Sequence, residues 1–271
     1  MQPSPRMKEP PRTTAADPVL RLARDGRGIV TLTLSRPQSF NALSDAMLTA
    51  LQGALDAIAG DESVRAVVLA AEGKAFCAGH DLREMHTRPS LEYYRSLFAQ
   101  CTRMMLALRA LPVPVIARVQ GIATAAGCQL VAQCDLAVAA RTAKFAVSGV
   151  NLGLFCSTPG VPLARNVSRK QAFEMLVTGD FIDAEQALAR GLVNRVVEPA
   201  RLDEEIETIL ASIIAKPRVA IALGKELFYR QVELGIEAAY AAAGETMACN
   251  MMEAAALEGV QAFIDKRPPR W

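Results

Sequence analysis

The sequence predicts an α/β fold: a sheet covered by helices, followed by a helical C-terminal segment. Two observations carry this. Short apolar strands alternate with amphipathic helices over the first two thirds of the chain, the pattern of βαβ units. After about Pro159 the chain is nearly all helical, and its last part, Leu202 to Lys266, is rich in alanine and methionine with no strand signal.

The elements follow in order. The N-terminal "MQPSPRMKEPPRTTAADP" is rich in proline and polar residues and has no apolar h-region, so residues 1–17 are expected to form a disordered tail. In "VLRLARDGRGIVTLTLS", Asp25-Gly26 is a turn between two runs. Val30, Leu32 and Leu34 alternate with Thr31 and Thr33, which predicts a half-buried hairpin. Ser44 caps a helix whose apolar face is Met47, Leu48, Leu51, Leu55 and Ile58. "VRAVVLAAEG" is a buried strand running into the glycine-bearing loop "GKAFCAGHDLREM". A helix over Leu91 to Leu111 is stopped by Pro112 and Pro114. The strand "VPVIARVQG" then leads into "TAAGCQLVAQCDLAV", where small residues precede a helix and another apolar strand. "GLVNRVVEP" interrupts the later helices. The expected organisation is a core domain over 18–200 and a helical segment over 201–271. Its alanine and methionine faces suit helix packing against another subunit.

Composition narrows the function. The 271 residues are 51% hydrophobic and 21% charged, as in a globular protein able to bury a sizeable core. Thirty basic against 28 acidic residues leave a net charge of +2, and no basic run is interleaved with aromatics, so no nucleic-acid partner is expected. No apolar run reaches the ~18 residues of a spanning helix, so no membrane partner is expected either. The six cysteines are scattered with no C-x-x-C pair, which suits reduced thiols in a cytoplasmic setting. With two histidines, His80 and His86, no metal site is expected.

The loops "AFCAGHDL" and "TAAGCQL" share a design: an apolar strand, small residues, and a turn into a helix. A helix start leaves N–H groups unpaired and favours negative charge. Small residues at Ala78, Gly79, Ala126 and Gly127 give a ligand oxygen access to such groups. Two N–H donors from separate loops converging on one oxygen make an oxyanion hole. Tight helix–strand packing alone also explains the small residues of either loop.

Together with "RPQSFNALSDAM" upstream and "EMLVTGDFIDAEQALARGLVNRVV" and "FIDKRP" downstream, these loops resemble the enoyl-CoA hydratase/isomerase (crotonase) superfamily, over about residues 29–267. More narrowly, "GHDLREM", "AAGCQL" and "NLGLFCSTPG" are similar to the mitochondrial-type enoyl-CoA-hydratase-domain-containing subgroup. The resemblance implies a ClpP/crotonase-like spiral of repeated ββα units, with C-terminal helices that pack in homotrimers or dimers of trimers (homohexamers). It implies an acyl thioester of coenzyme A as substrate, used in fatty acid metabolism, and no covalently bound cofactor. The N–H groups of His80 and Ala126 are the implied oxyanion donors. Ala42, Ala78, His80, Asp81, Leu82 and Arg83 are the implied coenzyme A contacts. Phe263 and Lys266 would reach in from the C-terminal segment, from the same chain or a neighbouring subunit. In a eukaryote, the mitochondrial matrix is the alternative to the cytoplasm.

The usual hydratase of this family uses two glutamates. The resemblance places Gln129 and Gly149 at their positions. An amide holds water but is no base near pH 7, and glycine offers only space. Other groups stand by. His80 has a suitable intrinsic pKa. Cys156, ahead of a helix with Pro159 in its first turn, is a candidate nucleophile with its pKa lowered by the helix start. Glu84 and His86 follow the first loop. Gly149 would also leave room for an anion such as bicarbonate, anchored by Ser148. The readings are an acyl-CoA enzyme (lyase or isomerase), a non-catalytic acyl-CoA binder or sensor, and an interaction protein with a relic pocket.

Overall fold

In the computed structural model, which describes residues 18–271, ten strands form two sheets. The expected N-terminal tail lies outside the described residues. Strands β1 (Leu20–Arg24) and β2 (Ile29–Leu34) form the expected hairpin, with Leu20 opposite Leu34 and Arg24 opposite Val30. Helix α1 (Asp45–Ala59) starts at Ser44, whose side chain accepts from the Met47 N–H, and buries the five apolar residues of its predicted face. After β3 (Ala66–Ala71) and β4 (Ala75–Cys77) come α2 (Leu82–Thr87) and α3 (Leu91–Ala110). Leu111 turns extended before Pro112, because the proline ring disfavours a helical residue ahead of it.

Next come β5 (Val115–Val119), β6 (Ile122–Thr124), α4 (Ala126–Gln133), β7 (Leu136–Ala140) and β8 (Lys144–Ala146). Then follow α5 (Ser157–Asn166), α6 (Arg169–Thr178), β9 (Ile182–Asp183), α7 (Ala184–Ala189) and β10 (Arg195–Val197). The larger sheet runs β1-β2-β3-β5-β7-β10 and the smaller β4-β6-β8-β9. The strand pairs β3/β4, β5/β6 and β7/β8 each give one strand to each sheet, which is the expected spiral. The two-residue β9 went unread because so short a strand has no periodicity.

Strand β3 shows how the larger sheet is held. All six of its residues are buried, but Val67, Leu69 and Ala71 face one apolar cluster while Ala66, Val68 and Ala70 face another. The second cluster is closed by Leu202, Ile206, Ile209 and Leu210 of α8 (Leu202–Ile214). That helix, the first of the segment expected over 201–271, therefore packs directly on the sheet. The strands need cover on both faces, and α8 supplies it.

Helices α9 (Arg218–Gln231), α10 (Ile236–Met251) and α11 (Ala254–Ile264) are different. They bury only Ala239 and Ala262, while Tyr240, Met247, Met252 and Phe263 are exposed. Polar contacts anchor α9 instead. Lys225 Nζ donates to Asp135 Oδ2 at 2.7 Å and to the Val113 carbonyl at 3.0 Å, and Tyr229 donates to Asp135 Oδ1 at 2.7 Å. The Lys225 and Asp135 side chains are 7% and 14% exposed, so water screens the pair little. Burial lowers the Lys225 pKa, with Asp135 opposing that shift. No helix of the described residues is long and apolar enough to cross a membrane.

Asp135→Asn leaves the Lys225 charge buried without its counter-ion. The expected loss is about 3–5 kcal/mol of stability, read from the urea midpoint of the variant against the native protein.

Candidate functional site

The two small-residue loops meet because β4 and β6 are parallel neighbours, Ala75 beside Ile122 and Cys77 beside Ala123. Both chains leave the smaller sheet side by side. Gly79 has φ +92°, and a Cβ there would stand 2.9 Å from the Ala125 Cβ and 3.2 Å from the Ala126 nitrogen. On the other side, a Cβ on Gly127 would stand 2.0 Å from the Cys77 carbonyl oxygen. Glycine at both positions lets the loops touch. Ala125 sits at φ +50°, ψ −121°, a conformation that costs a residue with a Cβ about 1–3 kcal/mol. Its N–H donates to the Ala146 carbonyl at 3.0 Å, which holds it there.

Most N–H groups of the first loop are claimed. Ala78 donates to Phe40 O, Gly79 to Cys77 Sγ, and Asp81 to Leu43 O. Among the described residues the His80 N–H has no acceptor, and neither has the Ala126 N–H in the first turn of α4. Both residues line one cavity of about 290 Å³, walled largely by apolar side chains such as Leu82, Met85, Phe98, Leu152, Leu154 and Phe155. Of these six only Leu82 follows from the family resemblance; the apolar run Leu152, Leu154, Phe155 is a sequence signal for three more, and Met85 and Phe98 have none.

His80 packs edge-on against Phe98, with ring centroids 5.5 Å apart. Its Nδ1 and Nε2 are both buried and have no hydrogen-bond partner. Burial lowers its pKa and so favours the neutral imidazole, with the Leu43 backbone and the Asp45 carboxylate working the other way.

Cys156 also lines the cavity, immediately ahead of α5. The expected lowering of its pKa is overturned. Burial raises it, and the one N–H donated to its sulfur, from Gly149 at 3.3 Å, does not offset that. The group is a thiol. Gly149 does not leave the expected room for a bicarbonate on its Cβ side, because a Cβ there would stand 2.4 Å from the Leu154 carbonyl oxygen and 2.7 Å from Cys156 Sγ. Ser148 Oγ, also on the wall, pairs with Thr124 Oγ1 at 2.8 Å.

Gln129 is buried but is not among the residues lining the cavity, and its Oε1 has no partner. The water-holding amide expected at the cavity wall is therefore not seen there. Glu84 is engaged elsewhere: its carboxylate accepts from the Asp45 N–H at 2.9 Å and caps α1. His86 is exposed.

Of the expected coenzyme A contacts, Ala78, His80 and Leu82 line the cavity. Ala42 is buried beside Leu43, which bridges to His80. Asp81 caps α2 by accepting from the Arg83 N–H and lies 3.7 Å from Arg36. Arg83 is exposed. Phe263 and Lys266 are not brought to the cavity within one chain. Phe263, at the end of α11, lines a separate hollow with Met251 and Trp271, and Lys266 is exposed just beyond it. Among the described residues no cluster of His, Cys, Asp or Glu is arranged to hold a metal.

The model of the enoyl-CoA hydratase/isomerase family matches residues 24–271. The human mitochondrial enoyl-CoA hydratase domain-containing protein 3 is 44% identical over 266 residues, 98% of this chain and 86% of the relative. The crotonyl-CoA hydratase of Syntrophomonas wolfei is 32% identical over 244 residues, 88% of this chain and 92% of the relative. Among solved structures, an enoyl-CoA hydratase of Mycobacterium smegmatis is 69% identical with a TM-score of 0.93, covering 94% of this chain and 99% of that one. The human domain-containing protein 3 gives 44% identity and a TM-score of 0.90, covering 93% and 100%.

Gly127→Ala forces α4 away from β4. We expect it to lower the melting temperature and to abolish ligand binding in the cavity, both measurable on the purified variant. Thiol titration checks the burial of the cysteines. Cys249, the exposed one, is expected to react first in the native protein, and the five buried thiols only slowly unless the chain is unfolded.

Proposed function

The chain belongs to the enoyl-CoA hydratase/isomerase family, and from that premise we propose that it takes an acyl-CoA thioester and stabilises its enolate between the His80 and Ala126 N–H groups. The observation that carries this reading is the pair of unclaimed N–H donors on two touching loops, both at the wall of one apolar cavity. As the α-carbon loses its proton, charge builds on the thioester oxygen. Fixed donors aimed at that oxygen favour the transition state over the ground state. The apolar cavity suits the acyl chain and keeps water out.

In this reading the coenzyme A runs past Ala42, Ala78 and the 80–83 segment, with exposed Arg83 directed to a phosphate. Phe263 and Lys266 come from a neighbouring copy. The exposed apolar residues of α10 and α11 support a homotrimer or a dimer of trimers, since a patch of this kind marks an interaction surface. As to compartment, the curated vertebrate relatives are named mitochondrial, which favours the matrix alternative; nothing in these relatives supports the cytoplasmic expectation.

Ordinary hydration is not the favoured chemistry. No carboxylate lines the cavity, and hydration needs one group to activate water and another to protonate the α-carbon. The same observation favours a second reading, a non-catalytic acyl-CoA binder or sensor.

The test is incubation in heavy water with crotonyl-CoA and with saturated acyl-CoAs, followed by mass measurement. The expected result is deuterium at the α-carbon, with little addition of water to crotonyl-CoA. Ala126→Pro removes one N–H, and the exchange rate is expected to fall about 10²–10³-fold, with the melting temperature measured alongside because Gly79 crowds the same nitrogen. Saturable binding with no mass change for any substrate would establish the binder and sink the enolate reading.

A further inference from the structure

Resting on the enolate reading, we infer that the His80 imidazole moves the proton at the acyl α-carbon, so that one residue supplies an oxyanion donor from its backbone and the base from its side chain. The cavity wall carries only two titratable side chains, His80 and Cys156. Cys156 is a poor base because it is protonated near neutral pH and its sulfur is already engaged by the Gly149 N–H. The imidazole is neutral there and has a free lone pair to accept a proton.

Position and freedom also favour the ring. The thioester oxygen at the His80 N–H places the α-carbon one bond from the carbonyl carbon, within the reach of that residue's own side chain. Both ring nitrogens are shielded in the unliganded chain, with the Leu43 backbone and the Phe98 ring beside them. Turning the ring toward a bound acyl group gives up its interaction with the Leu43 backbone and its edge contact with Phe98.

The step balances without a co-reactant. The Cα–H bond breaks and its proton passes to an imidazole nitrogen. The electron pair forms the Cα=C bond of the enolate, and the former carbonyl oxygen takes the negative charge between the two N–H groups. Imidazolium then returns a proton to Cα, or to a conjugated γ-carbon when the acyl chain carries a β,γ double bond. The first outcome is α-exchange with solvent and the second a double-bond shift. The charged group whose field reaches the ring is Asp45 at the start of α1, which lies 3.9 Å from Arg88.

The experiment follows α-deuteration of octanoyl-CoA by the full chain in heavy water, across pH 5 to 9, alongside His80→Gln and His80→Ala. Binding is measured separately by calorimetry with the same acyl-CoA. The expected result is exchange by the native protein that levels off at or below about pH 6.5, the ordinary histidine value. Both variants are expected to lose at least about 100-fold in exchange rate while His80→Gln keeps its affinity. Native exchange that persists in His80→Gln, or that keeps rising through pH 9 as a thiolate base would, overturns the His80 role and leaves the enolate reading standing. No exchange by the native protein over the whole range overturns both.

Discussion

The close approach of Gly79 to the Ala125–Ala126 peptide is the contact on which the site depends. A side chain at Gly79 would collide with Ala125 and crowd the Ala126 nitrogen, and one at Gly127 would drive α4 off the carbonyl of Cys77. With both absent, two loops separated by more than forty residues in sequence touch, and His80 and Ala126 line the same cavity. The positive φ of Ala125 is part of this arrangement. It is held by a hydrogen bond to Ala146 on the next strand of the smaller sheet, so strain at the site is supported by the sheet.

The two sheets explain why the loops lie where they do. Each ββ pair sends one strand into the larger sheet, packed on both faces, and the next into the smaller one. The loops after β4, β6 and β8 therefore emerge along one edge. Ala78 and His80, Ala125 and Ala126, and Ser148 and Gly149 come from the successive products of that repeat, and all six line the cavity. The C-terminal helices obey other physics. α8 closes the back of the sheet with apolar burial, whereas α9 is fixed by the Lys225–Asp135–Tyr229 network and leaves its neighbours largely uncovered. A segment held by a few polar contacts and carrying exposed Tyr240, Met247 and Phe263 fits the proposed assembly with other copies of the chain.

Much of the core was legible in the residues. The alternation of Val30, Leu32 and Leu34, the Ser44 cap and the proline stop at 112 each act locally, and local signals survive without knowledge of the rest of the chain. The packing of α8 is not legible in the same way, because an amphipathic helix looks the same from sequence whether it packs on its own sheet or on a partner. The side-chain roles were harder. Gln129 stands one turn after Ala126, but its amide is buried away from the cavity wall. Gly149, which reads as empty space in sequence, faces a carbonyl and a thiol contributed by residues five and seven positions later. Cys156 shows the same limit: its place before a helix predicts a lowered pKa, and burial, invisible in sequence, reverses the sign.

The sequence by itself determined the alternation of strands and helices and the order of the two glycine-bearing loops, because periodicity and close approach depend on residues that can be named from the chain. The spiral followed from the resemblance to the family. The resemblance to the family places Gln129 and Gly149 where the usual hydratase carries its two glutamates. Tertiary structure alone decided which groups share the cavity and in what protonation state. Whether a histidine is neutral, a thiol engaged or an amide hidden depends on neighbours brought together from β4, β6, α3 and the turn before α5. Desolvation by those neighbours sets the chemistry of each group.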